Sequence, residues 1–323
     1  MTPLRRLPRL PLVAAGLVGL LRLSVARAET WEDCASIANE RARLACFDRV
    51  AGRSTGAPAS LLEEAWGFGP LAPRYQLRHH QMNYFLPVTV TSDRNTGPWE
   101  PFRTLGLQEG ERDLDDVEAK FQISFKQRVW ATGDQRLGLW IAYTQVSAWQ
   151  VYNADESHPF RDTNYQPELI ASYQPGVDLG DFRWNLLNAG IVHESNGRSE
   201  VLSRSWDRLY AEAGFERGSL VLMPKIWYRF QEGDQDDNPD ITDYYGYGQL
   251  TAYYRWDNRS LTLMGRGNLH EGKGAIQLSY VSRPWMGPLR AYLHLFSGYG
   301  ETMIDYDWNQ TVIGAGVTIN SIL

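Results

Sequence analysis

A chain of 323 residues with a formal net charge of −6 carries no basic footprint for nucleic acid, and its length suits one large all-β domain or two smaller ones. It holds 12 Trp and 17 Tyr, and no segment after the N-terminus approaches the roughly 18 uninterrupted apolar residues of a membrane helix. That argues against helical spans but leaves a transmembrane β-barrel open, because each barrel strand gives only a weak signal.

The chain opens with a positive stretch (Arg5, Arg6, Arg9), an apolar core from Leu10 to Leu21, and Ala26-Arg27-Ala28. This is the pattern of a secretory signal peptide over 1–28, with a mature chain expected to begin at Glu29; an uncleaved anchor is the alternative. Export bears on the two cysteines, Cys34 and Cys46, which lie in a segment that reads as a short amphipathic helix or helical hairpin. In an oxidising compartment an intramolecular disulfide is the default and two free thiols the alternative. No His or further Cys accompanies them, so metal-ligand spacing is absent. Residues 52–73 are rich in Gly, Ala, Pro and Ser and read as the linker that ends an N-terminal periplasmic extension over 29–74.

From residue 75 the pattern changes to runs with a period of two, separated by turn signals. The first two cover about 77–90 and 117–130, with a polar, charged loop between them. In the third, Leu137, Leu139, Ile141, Tyr143, Gln145, Ser147 and Trp149 share a face. A fourth covers about 166–173 and a fifth 182–195. The sixth, 206–215, is joined tightly to the seventh at 219–230, and the acidic loop QEGDQDDNPDITD follows. Later runs lie near 244–256, 261–269, 276–280, 289–295 and 313–323. About twelve runs result, and short and long connections tend to alternate.

A soluble sandwich would also alternate, but its polar face would be rich in Lys and Glu. Here the polar faces carry Arg, Gln, Asn, Thr and Tyr, which suits a hydrogen-bonded barrel interior, while the apolar faces carry aromatics near their ends. An even strand count fits as well; the terminal Leu323, where an aromatic is usual, does not. The expected fold is all-β: a twelve-stranded antiparallel transmembrane β-barrel over 75–323 with a short N-terminal extension.

In run five, Leu187, Ala189, Ile191, His193 and Ser195 share a face; in run six, Asp207, Leu209, Ala211, Ala213 and Phe215 do. Same-face neighbours on a strand lie about 7 Å apart. If the two runs pair as a hairpin, a hydroxyl, an imidazole and a carboxylate meet on a face that is otherwise apolar. These are the parts of a nucleophilic hydrolase, with Ser195 attacking an acyl carbonyl, His193 taking its proton and Asp207 fixing the imidazole. A lone His-x-Ser is ordinarily an interface or loop pair; three convergent polar groups facing lipid are costly without a purpose. Gln145 lies on the apolar face of run three, where two copies of an amide could bond across a two-fold axis; a miscast face that turns it inward is the alternative. Asp236, Asp237 and Asp240, with Glu200, read as a solvated acidic loop, with a calcium site among these carboxylates the less favoured reading.

The segment HESNGRS…SRSWDRLY resembles the active-site segment of outer-membrane phospholipase A, a calcium-dependent enzyme on a twelve-stranded barrel. YTQVSAWQ, SHPFRDTNYQPEL, DDNPDIT and SGYGETMIDYDWNQTVIGAGV match as well, so the resemblance covers most of residues 77–323. It implies Ser195 as nucleophile and His193 as base. The family usually has Asn where this chain has Asp207, which leaves the third group's role in place but changes its charge. The resemblance further implies calcium at a homodimer interface, held by the Ser203 side chain, the Arg198 carbonyl and a Ser157 carbonyl from the partner protomer, with the Gly197 N–H donating to the oxyanion. It favours Gln145 at that interface. The implied function is calcium-dependent hydrolysis of glycerophospholipid acyl esters in the bacterial outer membrane, activated by homodimerisation. A non-enzymatic barrel, such as a porin or structural protein, is the rival, and a soluble periplasmic esterase a third reading.

Overall fold

The computed structural model describes residues 30–37, 43, 46–47, 50, 60–68, 72–101, 114–155, 157–233 and 236–320. The expected signal peptide, 1–28, lies outside them, as do Leu323 and half of the expected linker over 52–73. Two compact units are formed, Met1–Pro58 and Ala59–Leu323.

In the first unit, helix α1 (Trp31–Ala35) starts at a capping box: the Thr30 hydroxyl accepts from Asp33 N, and the Asp33 carboxylate accepts from Thr30 N. Cys34 and Cys46 are joined by a disulfide, and the Trp31 and Phe47 rings stack beside it.

The second unit is one closed antiparallel sheet. Its strands are β1 (Gln76–His79), β2 (Tyr84–Thr91), β3 (Val117–Ala131), β4 (Leu137–Trp149), β5 (Phe160–Tyr173), β6 (Val177–Leu179) and β7 (Phe182–Ser195). There follow β8 (Ser205–Arg217), β9 (Leu220–Arg229), β10 (Gly248–Trp256), β11 (Arg259–Asn268), β12 (Lys273–Met286), β13 (Leu289–Tyr299) and β14 (Asn309–Thr318). Both β1 and β2 pair with β3, so together they make one interrupted staff, and β6 is a short hairpin arm of β7. Twelve staves remain, each paired with its sequence neighbour, and β14 closes the circle on β2. Closure matters because hydrocarbon offers no partner for an open strand edge.

The alternation sorts the two faces. Ile141, Leu169, Ile191, Ile226, Leu263, Leu293 and Ile313 are exposed on the outside, whereas Lys126, Arg128, Thr144, Glu168, Ser172 and Asn188 are buried inside. Several runs differ in extent from the sequence pattern. The fourth begins at Phe160 and the tenth spans Lys273–Met286. The eighth begins at Gly248, because Tyr244 belongs to a short helix, α3 (Ile241–Tyr245), inside the acidic loop.

The largest departure from expectation is at residues 60–68. The stretch read as linker contains helix α2 (Leu61–Trp66), started by the Ser60 side chain and ended by Gly67 in the left-handed conformation. Leu61, Leu62, Ala65, Trp66 and Phe68 pack with the buried barrel residues Trp140, Ile170 and Leu186. Glu216, on β8, accepts from the Ser60 hydroxyl and from Leu62 N at 2.9 Å. Trp66 lies over Lys126 Nζ at 3.3 Å, a cation–π contact in place of an ion pair. The low-complexity composition hid an apolar i, i+1, i+4, i+5 set (Leu61, Leu62, Ala65, Trp66) that marks a helix face. At the other end of the lumen, Arg161 bridges Glu118 and Asp305 at 2.9 and 2.8 Å, and Arg94 joins Glu118 at 3.0 Å.

Leu62→Ala is expected to destabilise the barrel by about 2–4 kcal/mol. Urea unfolding should show a lower midpoint with unchanged strand content.

Candidate active site

β7 and β8 form a hairpin whose register sets His193 opposite Asp207 and Ser195 opposite Ser205. The faces alternate, so His193, Ser195 and Asp207 all point away from the lumen. His193 Nδ1 lies 2.9 Å from Asp207 Oδ1, and both side chains are about half exposed, at 47% and 44%. A carboxylate that accepts from Nδ1–H leaves Nε2 with its lone pair, the tautomer a general base requires. Ser195 is the next outward residue on the strand; the structure gives it no hydrogen bond to the ring. A side-chain rotation spans such a gap, and catalytic hydrogen bonds commonly tighten only when substrate is bound.

The loop after Ser195 is built around Asn196, which the sequence reading passed over. Its Oδ1 accepts from Arg204 N at 3.0 Å and Arg198 N at 3.3 Å, and its Nδ2 donates to Leu202 O at 2.8 Å. Asn196 is buried and holds both ends of the loop together. The signal was present: Asn-Gly is a turn dipeptide whose Asn side chain bonds nearby backbone. Gly197 has φ +63°, and a Cβ there would come within 3.0 Å of the Tyr165 ring.

The residues assigned to calcium are partly brought together. The Arg198 guanidinium is spent on the Phe160 and Arg161 carbonyls, which pins the loop to the start of β5. Ser203 Oγ donates to Asp237 Oδ2 at 2.5 Å. A hydroxyl that gives its proton to a carboxylate presents its lone pairs elsewhere, so Ser203 suits a hard cation, as does a main-chain carbonyl. Ser157 sits in a separate exposed loop, between β4 and β5, with φ +58°. Among the described residues no group of three or more His, Cys, Asp or Glu side chains could hold a metal by itself.

The acidic loop is committed elsewhere. Asp236 pairs with Arg229 and Asp240 accepts from the Tyr306 hydroxyl at 2.8 Å, so the second calcium site entertained there gains no support. Burial, with Asp236 beside it, pushes the Glu232 carboxyl up; it lies 3.4 Å from the Ser205 hydroxyl.

Gln145 faces outward but is not unpartnered, contrary to what its lipid setting suggested. It accepts from Tyr143 Oη at 3.1 Å and donates to Ser147 Oγ at 3.2 Å. An amide has two donors and two acceptor sites, so one of each remains for a second molecule. The register also links it to the hairpin: Gln145 opposes Tyr165, and Tyr165 opposes Ser195. One cross-strand row thus runs from Gln145 through Tyr165 to Ser195.

A family model described as Phospholipase A1 matches residues 71–319. A protein of Neisseria meningitidis serogroup B is 35% identical over 95% of this chain and 95% of its own length. A phospholipase A1 of Proteus vulgaris is 40% identical over 77% of this chain and 83% of its own. Among solved structures, the Salmonella typhi outer membrane phospholipase (OMPLA) dimer with bound calcium matches with a TM-score of 0.71 at 36% identity, covering 77% of this chain and 93% of that one. The Escherichia coli outer membrane phospholipase A matches with a TM-score of 0.70 at 36% identity over the same shares.

Gly197→Ala combines a left-handed φ, worth about 1–2 kcal/mol for an L-residue, with the Tyr165 contact. It is expected to lower ester cleavage by roughly tenfold or more while the folded barrel persists, as read from initial rates and heat-dependent gel mobility.

Proposed function

The chain belongs to the phospholipase A1 family, an outer-membrane β-barrel that hydrolyses phospholipid esters, and on that premise we propose that Ser195, His193 and Asp207 carry the reaction. The observation that supports this reading is the 2.9 Å His193–Asp207 pair on the outer face, two residues along the strand from an outward serine. Substrate reaches such a site laterally from the membrane, without a closed pocket. Ser195 Oγ attacks the acyl carbonyl as His193 Nε2 takes its proton, and Asp207 steadies the imidazolium. His193 then returns the proton to the leaving alcohol, and a water repeats the sequence to free the fatty acid. Gly197 N–H donates to the oxyanion.

Calcium, when bound to Ser203, the Arg198 carbonyl and a Ser157 carbonyl of a second copy, supplies positive charge beside the developing oxyanion. Homodimerisation through the remaining hydrogen-bonding capacity of Gln145 completes the site, and the monomer is the resting form. Residues 1–28 are removed on export, which mass spectrometry of the mature protein reads directly.

The test is phospholipid hydrolysis by refolded protein in detergent, with calcium and with chelator. Ser195→Ala and chelation should each reduce the rate by at least about 10³-fold. Asp207→Ala should cost on the order of 10³-fold, and Asp207→Asn less, because an amide carbonyl still accepts Nδ1–H. Gln145→Ala should weaken the calcium-dependent dimer in sedimentation and lower activity in proportion. Full activity from cross-linked monomers, or from Ser195→Ala, contradicts the reading.

A further inference from the structure

The residues that alternate with the proposed triad point into the lumen, and they form a brace of their own. Glu194 stands between His193 and Ser195 on β7; Trp206 and Arg208 stand on either side of Asp207 on β8. Glu194 Oε2 accepts from Trp206 Nε1 at 3.0 Å and from Arg208 Nη2. One carboxylate therefore grips both neighbours of Asp207 from the one residue that separates base and nucleophile. The Arg208 guanidinium lies 3.8 Å from the Trp206 ring centre. Trp206 is fully buried and packs edge-on against Trp227 and Tyr245, which anchors the brace to β9 and to α3.

The location matters because the proposed triad sits at the end of the hairpin, and the brace is the side-chain link that joins its two strands on the lumen side. The hairpin's outward side chains face lipid and contribute one exposed pair, and β7 ends at Ser195. The last ladder positions of a hairpin splay most readily, and a one-residue slip would turn Asp207 into the lumen. Glu194 and Arg208 keep side-chain exposures of 18% and 10%, so the charge-assisted bond is largely shielded from solvent.

We propose that Glu194, clamped to Trp206 and Arg208 on the lumen side of the hairpin, is a positioning residue that sets the His193–Asp207–Ser195 geometry on the opposite face. The inference rests on the triad reading above. It assigns Glu194 no contact with substrate, and the effect passes through the strand.

The test is a double-mutant cycle on the full chain, with kcat and KM measured on micellar phospholipid in saturating calcium and folding followed by heat-dependent gel mobility. Glu194→Ala should lower kcat roughly tenfold to a hundredfold, the range that small misplacements of reacting groups produce, with KM changed less than about twofold. Glu194→Gln should recover most of kcat, because its carbonyl still accepts from Trp206 and Arg208. In an Asp207→Ala background, Glu194→Ala should cost less than about threefold more, since the geometry it protects is already lost. Trp206→Phe keeps the ring packing and removes one grip on Glu194; it should lower kcat roughly threefold to tenfold and carries the same cycle if Glu194→Ala does not fold. An unchanged kcat in Glu194→Ala, or equal costs with and without Asp207, overturns the proposal while the triad stands. An Asp207→Ala enzyme of natural rate overturns both.

Discussion

Backbone amides and carbonyls crossing hydrocarbon must all be paired within the protein, and this chain's organisation follows from that requirement. Pairing every strand with its sequence neighbour, and the last with the first, leaves no unpaired edge. Closure fixes the pleat, and the pleat sends alternate residues to lipid and to lumen. A carboxylate and an imidazole set at opposed outward positions of one hairpin then meet at 2.9 Å without a loop or pocket to bring them together. The same register aligns Gln145, Tyr165 and Ser195 in a row across three strands.

Much of this was legible because period-two alternation survives even where single strands are weakly apolar. His193, Ser195 and Asp207 could be placed on one face from their spacing, and their convergence required only that two adjacent runs pair. Less visible were features that depend on side chains from distant strands. The α2 helix looked like linker because its apolar face is short and its flanks are rich in Gly, Ala and Pro; its helicity rests on burial among Trp140, Ile170 and Leu186. Gln145 looked stranded in lipid because its partners, Tyr143 and Ser147, lie on its own strand at a spacing usually read only for packing. Asp237 read as one charge in a solvated run, and the structure sets it against Ser203.

The lumen bears on the rival reading of an open channel. Its site end is crossed by the Arg94, Glu118, Arg161 and Asp305 ion pairs, and its other end holds the apolar α2 helix. Between them the wall is polar and interlocked, including the Lys120–Glu301–His294 group. Burial opposes ionisation of the Glu301 carboxyl, but the neighbouring Lys120 and His294 outweigh it and hold the carboxyl below the usual carboxylate range. Satisfied buried polar networks of this kind rigidify the wall that carries them, and a rigid wall suits chemistry carried out on its outer surface.

The most direct test of the account is to locate the nucleophile. Refolded protein would be treated with a long-chain alkylsulfonyl fluoride, which modifies activated serines, and mapped by peptide mass spectrometry. The account predicts a single modified residue, Ser195, labelled in calcium and not in chelator, with labelling lost in His193→Ala. Modification of another serine, or labelling of Ser195 at the same rate without His193, would contradict it.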